Sequence, residues 1–177
     1  MKKYILTIDQ GTTSTRAILF DHKANTIGIY QMEFTQICPK SGYVEHNADE
    51  IYQTVLECIK NVIINASIEP EEIDSIAITN QRETTVAFGF DGHPLANAIC
   101  WQSRQSQKIC DDLIARGYED MIYQKTGLHI NPYFSASKIR YLIDNNQNIK
   151  DLYDAGKVLF GTMDTYILYR LTNGASF

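Results

Sequence analysis

The sequence predicts an α/β domain built on a mixed sheet, and three observations predict it. Tyr4–Ile8, Arg16–Phe20 and Thr26–Phe34 are β-rich runs separated by short polar turns. Strands joined that closely pair antiparallel, because parallel pairing needs a long crossover. After Asn47 the apolar spacing changes from the alternation of a strand to the 3.6-residue period of a helix. A further β-rich run, Ile73–Thr79, follows that helix, the connection that lets a strand join a sheet parallel to a neighbour.

Each element has a local reason. Gly11-Thr12-Thr13-Ser14 breaks the first strand from the second, and Asp21-His22-Lys23-Ala24-Asn25 breaks the second from the third. Asn47 is placed to cap a helix, with Glu50 three residues on in the reciprocal position of a capping box. Ile51, Val55, Cys58, Ile59, Val62 and Ile63 then mark one buried stripe, and the helix is expected to end near Asn65, before Pro70. Thr84–Phe88 and Leu95–Cys100 flank Asp91-Gly92, a hairpin signal. Beyond them the expected helices are Ser103–Arg116, Ser135–Asn145 and Asp164–Leu171, with the short run Lys157–Phe160 before the last. The chain contains no internal repeat, low-complexity segment or linker.

Composition narrows the function classes. With 44% hydrophobic and 21% charged residues the chain is an ordinary globular one, too apolar for disorder. Sixteen Lys and Arg against 21 Asp and Glu leave a net charge of −5, which argues against nucleic acid as a partner. Cys38, Cys58, Cys100 and Cys110 form no CxxC, so neither a zinc site nor a disulfide framework is expected. The apolar run after Met1-Lys2-Lys3 ends at Asp9, too short for a signal peptide. No stretch approaches the roughly 20 apolar residues of a membrane helix. The Asn65-Ala66-Ser67 sequon is read as coincidence, and a cytoplasmic protein is expected.

Two segments could carry chemistry. Asp9-Gln10-Gly11-Thr12-Thr13-Ser14-Thr15-Arg16 lies between two strands. A carboxylate at a strand end needs a cation. The glycine allows close backbone approach, turn N–H groups can face an anion, and Arg16 presents a planar fork to phosphate. Magnesium ligand, donors and cation together are the equipment of phosphoryl transfer; the same residues also suit an ordinary hairpin turn. The segment is not a Walker loop, lacking its second glycine and its lysine. In the second segment, Thr79-Asn80-Gln81-Arg82-Glu83-Thr84-Thr85, polar side chains follow a strand end, where open α/β sheets bind ligands. Arg82 and Glu83 offer donors and acceptors together, which suits a neutral polyol, although an exposed loop carries such charges too. Trp101, the sole tryptophan, and Tyr133 could wall a sugar-sized pocket or fill the core. His22, His46, His93 and His129 fall in turns or caps and are read as surface residues.

Taken with Gly42-Tyr43-Val44-Glu45-His46, Trp101-Gln102, Thr126-Gly127-Leu128, Pro132-Tyr133-Phe134-Ser135 and Phe160-Gly161-Thr162-Met163-Asp164-Thr165, these segments resemble the FGGY carbohydrate kinases, in the family's order over essentially the whole chain. The first motif alone says only actin- or hexokinase-like ATPase; the Asn80–Thr85 stretch with Trp101 and Tyr133 points to the members that act on glycerol. The resemblance implies a ribonuclease-H-like domain with flanking helices and ATP-dependent phosphorylation of glycerol to glycerol 3-phosphate. It implies that Asp9 holds Mg2+, that Thr12, Thr13, Ser14 and Arg16 meet the phosphates of ATP or ADP, that Arg82, Glu83 and Tyr133 bond the glycerol hydroxyls, and that Trp101 packs on its carbons.

Family members are far longer. By the resemblance, residues 1–177 are the N-terminal part of the first domain, truncated; the aspartate that serves as general base lies beyond Phe177, as does the second domain that grips the nucleotide. The chain alone is then expected to be inactive, and its uncovered apolar surface to favour a homo-oligomer. Two other readings stand beside this one: a different sugar kinase of the same family, and a non-catalytic actin-like binding or assembly module.

Overall fold

The computed structural model describes residues 2–176, and its first sheet follows the predicted plan. β1 (Tyr4–Gln10), β2 (Ser14–Asp21) and β3 (Thr26–Glu33) pair antiparallel, and β5 (Ile73–Asn80) lies parallel to β1 on its other side, giving the order β3-β2-β1-β5. The register sets Asp9 opposite Arg16 on β2 and opposite Thr79 on β5. The ladder runs one step past the strands, where Gln81 N donates to Gln10 O at 2.7 Å.

The crossover from β3 to β5 is made by α1 (Ala48–Ala66). Its buried face comprises Ala48, Ile51, Thr54, Val55, Cys58 and Val62, close to the predicted stripe. It packs on Leu6, Ala17 and Leu19 of the sheet. The approach is close at Gly28, where a Cβ would stand 3.3 Å from Val62 Cγ2 and would press that side chain aside. Asn47 caps the helix as expected, accepting from the N–H groups of Asp49 and Glu50. The reciprocal half of the capping box is not formed. Glu50 instead accepts from the N–H and hydroxyl of Thr35, both at 2.9 Å, and so satisfies a backbone donor where the chain leaves β3.

A second sheet, whose assembly from these distant strands the sequence does not announce, has the order β4-β7-β6-β8 and is antiparallel throughout: β4 (Glu45–His46), β6 (Thr85–Phe88), β7 (Ala98–Ile99) and β8 (Leu159–Thr162). The predicted hairpin about Asp91-Gly92 is its β6–β7 connection, and the short run near Lys157–Phe160 becomes β8. On it sit α4 (Ser135–Asn145), with the predicted bounds, and α5 (Gln147–Asp154), which starts at once because Asn146 both ends α4 and caps α5 through Ile149 N–H. Their contact buries Ala87, Ile99, Leu142, Ile143 and Ile149.

The helix expected over 103–116 is shorter, α2 (Gln107–Ala115), and α3 (Glu119–Thr126) was not expected. Residues 103–106 are held as turns by buried hydroxyls: Ser103 Oγ accepts from Val44 N, and Ser106 Oγ meets Ser137 Oγ at 2.8 Å. The last helix, α6 (Met163–Leu171), drives Tyr166, Ile167 and Tyr169 between the sheets against Ile8, Ile51 and Phe88, the largest buried cluster. Ile76 on β5 and Leu168 on α6 stay exposed. The strand ends at Gln10 and Asn80 thus converge on the start of β6, and the predicted site residues gather there.

Candidate functional site

The turn after β1 is closed by Gly11 N–H donating to Ser14 O at 2.9 Å. On the sheet face, Arg16 Nη1 approaches Asp9 Oδ2 at 3.5 Å, Arg16 Nε donates to Gln31 Oε1 at 3.0 Å, and Gln31 Nε2 donates to Ser14 Oγ at 3.0 Å. The Asp9 and Arg16 side chains are each about two-fifths exposed, at 42% and 39%, so the pair is loose and open to a ligand. Thr12 faces the other way and accepts a 2.9 Å hydrogen bond from the indole N–H of Trp101.

Behind the turn lies a buried polar chain. Gln81 Nε2 lies 3.2 Å from both Gln10 Oε1 and His46 Nδ1, while Gln81 Oε1 accepts from Thr84 Oγ1 at 2.9 Å. Thr84 Oγ1 in turn accepts from Trp101 N. His46 is therefore no surface residue. It is fully buried, its Nε2 meets Gln36 Oε1 at 3.0 Å, and burial lowers its pKa to about 4. A neutral ring accepting from Gln81 at Nδ1 and donating to Gln36 at Nε2 satisfies both contacts, an assignment made from the network.

Trp101 and Tyr133 meet edge to face with ring centroids 5.9 Å apart. They wall a cleft of about 410 Å3 that Gln102, Ser103, Arg104 and Asn131 also line. Glu83 reaches the same loop from behind: its Oε2 accepts from Ser135 N at 2.8 Å and Ser135 Oγ at 2.7 Å, two residues past Tyr133. Its carboxylate thus caps α4, where negative charge is favoured, and its backbone takes the left-handed conformation, φ 67°. Arg82 is exposed and, among the described residues, has no hydrogen bond or ion pair; it does not pair with Glu83.

The geometry thus brings Trp101, Tyr133 and Thr12 together and ties Glu83 to the Tyr133 loop, while Arg82 is exposed and is not among the residues lining the cleft. Thr13 is exposed beside Thr12. Sequence reasoning missed Gln10, Gln81, Thr84 and Lys138, all buried polar residues of this region. Gln10, in the polar segment at the end of β1, and Gln81 and Thr84, in the polar run after β5, carried a signal; Lys138 carried none. Magnesium is held by one or two carboxylates with water and phosphate oxygens, so the half-exposed Asp9, at a strand end beside hydroxyls and an arginine, fits that ion. No cluster of three or more metal-ligating side chains occurs among the described residues.

The model of the N-terminal domain of the FGGY family of carbohydrate kinases matches residues 4–177. Glycerol kinase of Desulforamulus reducens is 51% identical over 174 residues, covering 98% of this chain and 35% of that protein. Glycerol kinase of Enterococcus casseliflavus is 52% identical over 174 residues, covering 98% and 34%. Among solved structures, Plasmodium falciparum glycerol kinase with ADP superposes with a TM-score of 0.89 at 33% identity, over 98% of this chain and 35% of the other. Gluconate kinase from Lactobacillus acidophilus superposes with a TM-score of 0.83 at 25% identity, over 96% and 33%. The chain spans about a third of the length of these relatives.

Proposed function

The chain belongs to the FGGY family of carbohydrate kinases, and from that premise we propose that it is the N-terminal part of an enzyme transferring the γ-phosphoryl group of ATP to a terminal hydroxyl of glycerol. The observation that carries this reading is the bond from Trp101 Nε1 to Thr12 Oγ1, which joins an aromatic cleft wall to the turn suited to phosphate. A phosphoryl acceptor and a phosphate chain must lie close together for in-line transfer, and a bond between the two proposed subsites supports that arrangement.

In this reading the turn N–H groups, the hydroxyls of Thr12, Thr13 and Ser14, and Arg16 hold the nucleotide phosphates. Asp9 holds Mg2+, which when bound offsets phosphate charge. Trp101 presents an apolar face to the glycerol carbons. Tyr133, Arg82 and Glu83 supply donors and acceptors to its hydroxyls. Among the described residues no aspartate lines the cleft, so the general base is assigned to the part of the enzyme that this third of the relatives' length does not include, and the chain alone is inactive. Its four free cysteines suit the reducing cytoplasm. Exposed Ile76 and Leu168 support self-association.

A chimaera tests the proposal: this chain replaces the matching third of the Enterococcus casseliflavus relative, and phosphorylation of glycerol, gluconate and xylulose is compared. Glycerol-dependent ADP release is expected. A preference for gluconate or xylulose would assign the chain to another sugar kinase of the family, the second reading, which the likeness to gluconate kinase keeps in view. No turnover of any substrate by a folded chimaera would favour a non-catalytic module.

A further inference from the structure

Lys138, on the first turn of α4, has no exposed surface. Its ammonium donates to two main-chain carbonyls, Pro132 O at 2.8 Å and Tyr133 O, and lies 6.0 Å from the centre of the Tyr133 ring. An ammonium withdrawn from water is costly unless its protons are satisfied, so a lysine serves poorly as mere filler. Here it supplies donors to two carbonyls of the irregular chain that leads into α4.

Those carbonyls belong to the loop that presents Tyr133 to Trp101. The titratable groups facing the amine are Glu83 from the turn after β5, Cys100 from the end of β7 and Cys110 from α2. Burial raises both thiols, which keeps them neutral, and Glu83 is the anion of the set. Burial lowers the amine to about 8, and Glu83 opposes that shift. Glu83 and Lys138 therefore act on the two ends of one short segment: the carboxylate fixes Ser135, and the ammonium fixes residues 132 and 133.

We propose that Lys138 is a positioning residue of the cleft, clasping the Pro132 and Tyr133 carbonyls and thereby setting the Tyr133 ring against Trp101 before any ligand arrives. Its consequence for catalysis rests on the cleft being the polyol site; the clasp itself rests on the geometry alone.

The sole tryptophan is Trp101, so its fluorescence in the 177-residue chain reads the aromatic wall directly, without glycerol or ATP. Lys138→Met is expected to shift Trp101 emission to the red and to raise its quenching by acrylamide. Tyr133→Leu should do the same, and the double variant should go no further than Tyr133→Leu, because the lysine acts through that ring. Unchanged emission in Lys138→Met, or shifts that add in the double variant, would overturn the proposal. If Lys138→Met does not fold, the unaltered chain decides by NMR. The carbonyl carbons of Pro132 and Tyr133 should titrate together near pH 8. Signals that stay fixed across the whole lysine titration range would show that no clasp exists. A chimaera indifferent to glycerol would sink the substrate reading and leave this result standing.

Discussion

Trp101 donates its indole N–H to the hydroxyl of Thr12, 89 residues earlier in the chain, at 2.9 Å. The bond crosses from the second sheet to the first and ties two groups that sequence alone treats separately, a turn suited to phosphate and an aromatic wall. Movement of one sheet against the other would therefore be felt at once by both halves of the proposed site.

Thr12→Val tests that coupling. It keeps the shape and leaves the indole N–H without its acceptor, a loss of about 1 kcal/mol for a neutral bond. Urea unfolding should show a decrease of that size, and Trp101 emission should move. If neither changes, the two sheets are not joined by this contact in solution.

His46 makes stability depend on pH. Burial lowers its pKa from 6.5 to about 4, so the unfolded chain binds this proton more tightly than the folded one. Its contribution is whole above pH 6.5 and is lost as pH falls toward about 4. At 1.36 kcal/mol for each pKa unit the loss is on the order of 3 kcal/mol. His46→Gln should flatten the fall in urea midpoint over that window, since the carboxylates titrate alike in both proteins. A fall as steep in the variant would remove His46 as its cause.

The contrast between what was legible and what was not has a physical basis. The β1–β2–β3 trio can be read because each connection is shorter than a parallel crossover permits, and α1 because its stripe keeps one period over 19 residues. Of the second sheet the β6–β7 hairpin can be read, but the pairing of Thr85 with Thr162 joins strands of four residues too distant in sequence to be foreseen. Trp101 and Tyr133 pair an apolar face with a polar tip, which left pocket wall and core filler both open until the family resemblance chose between them. Lys138 and His46 could not be foreseen, because a lone lysine or histidine reads as surface until burial is known.

Glu83 has two roles that one pair of variants separates. Glu83→Ala deletes both bonds to Ser135 and should destabilise the chain by about 1 kcal/mol, as lost helix caps do. In the chimaera it should also lower kcat/KM for glycerol by on the order of 1–3 kcal/mol, as a hydroxyl left unpaired would. Glu83→Gln keeps an acceptor for Ser135 and should recover the stability. A kcat/KM for glycerol untouched in Glu83→Ala would leave Glu83 as a helix cap and nothing more.

Asp9→Asn in the chimaera should depress turnover strongly and leave glycerol affinity nearly intact, because the metal meets phosphate and not the polyol. The loosened contact with Arg16, already 3.5 Å long and open to water, should cost little stability. Lost glycerol affinity with turnover preserved would place Asp9 on the wrong substrate.

The 177-residue chain alone should release no ADP in response to glycerol. Its cleft has an aromatic wall and polar rim but, among the described residues, no aspartate lining it, and Glu83 is engaged at Ser135. Proton removal by a positioned base is worth about 10²–10⁴ in rate, and a phosphate chain held from one side only forfeits orientation as well. The same sample should scatter light as more than a monomer, since Ile76 on β5 is 51% exposed and Leu168 on α6 is 37% exposed. Robust turnover would show that one of the carboxylates described here takes the proton, and a Glu83→Gln variant of the active chain would then be the first place to look for it.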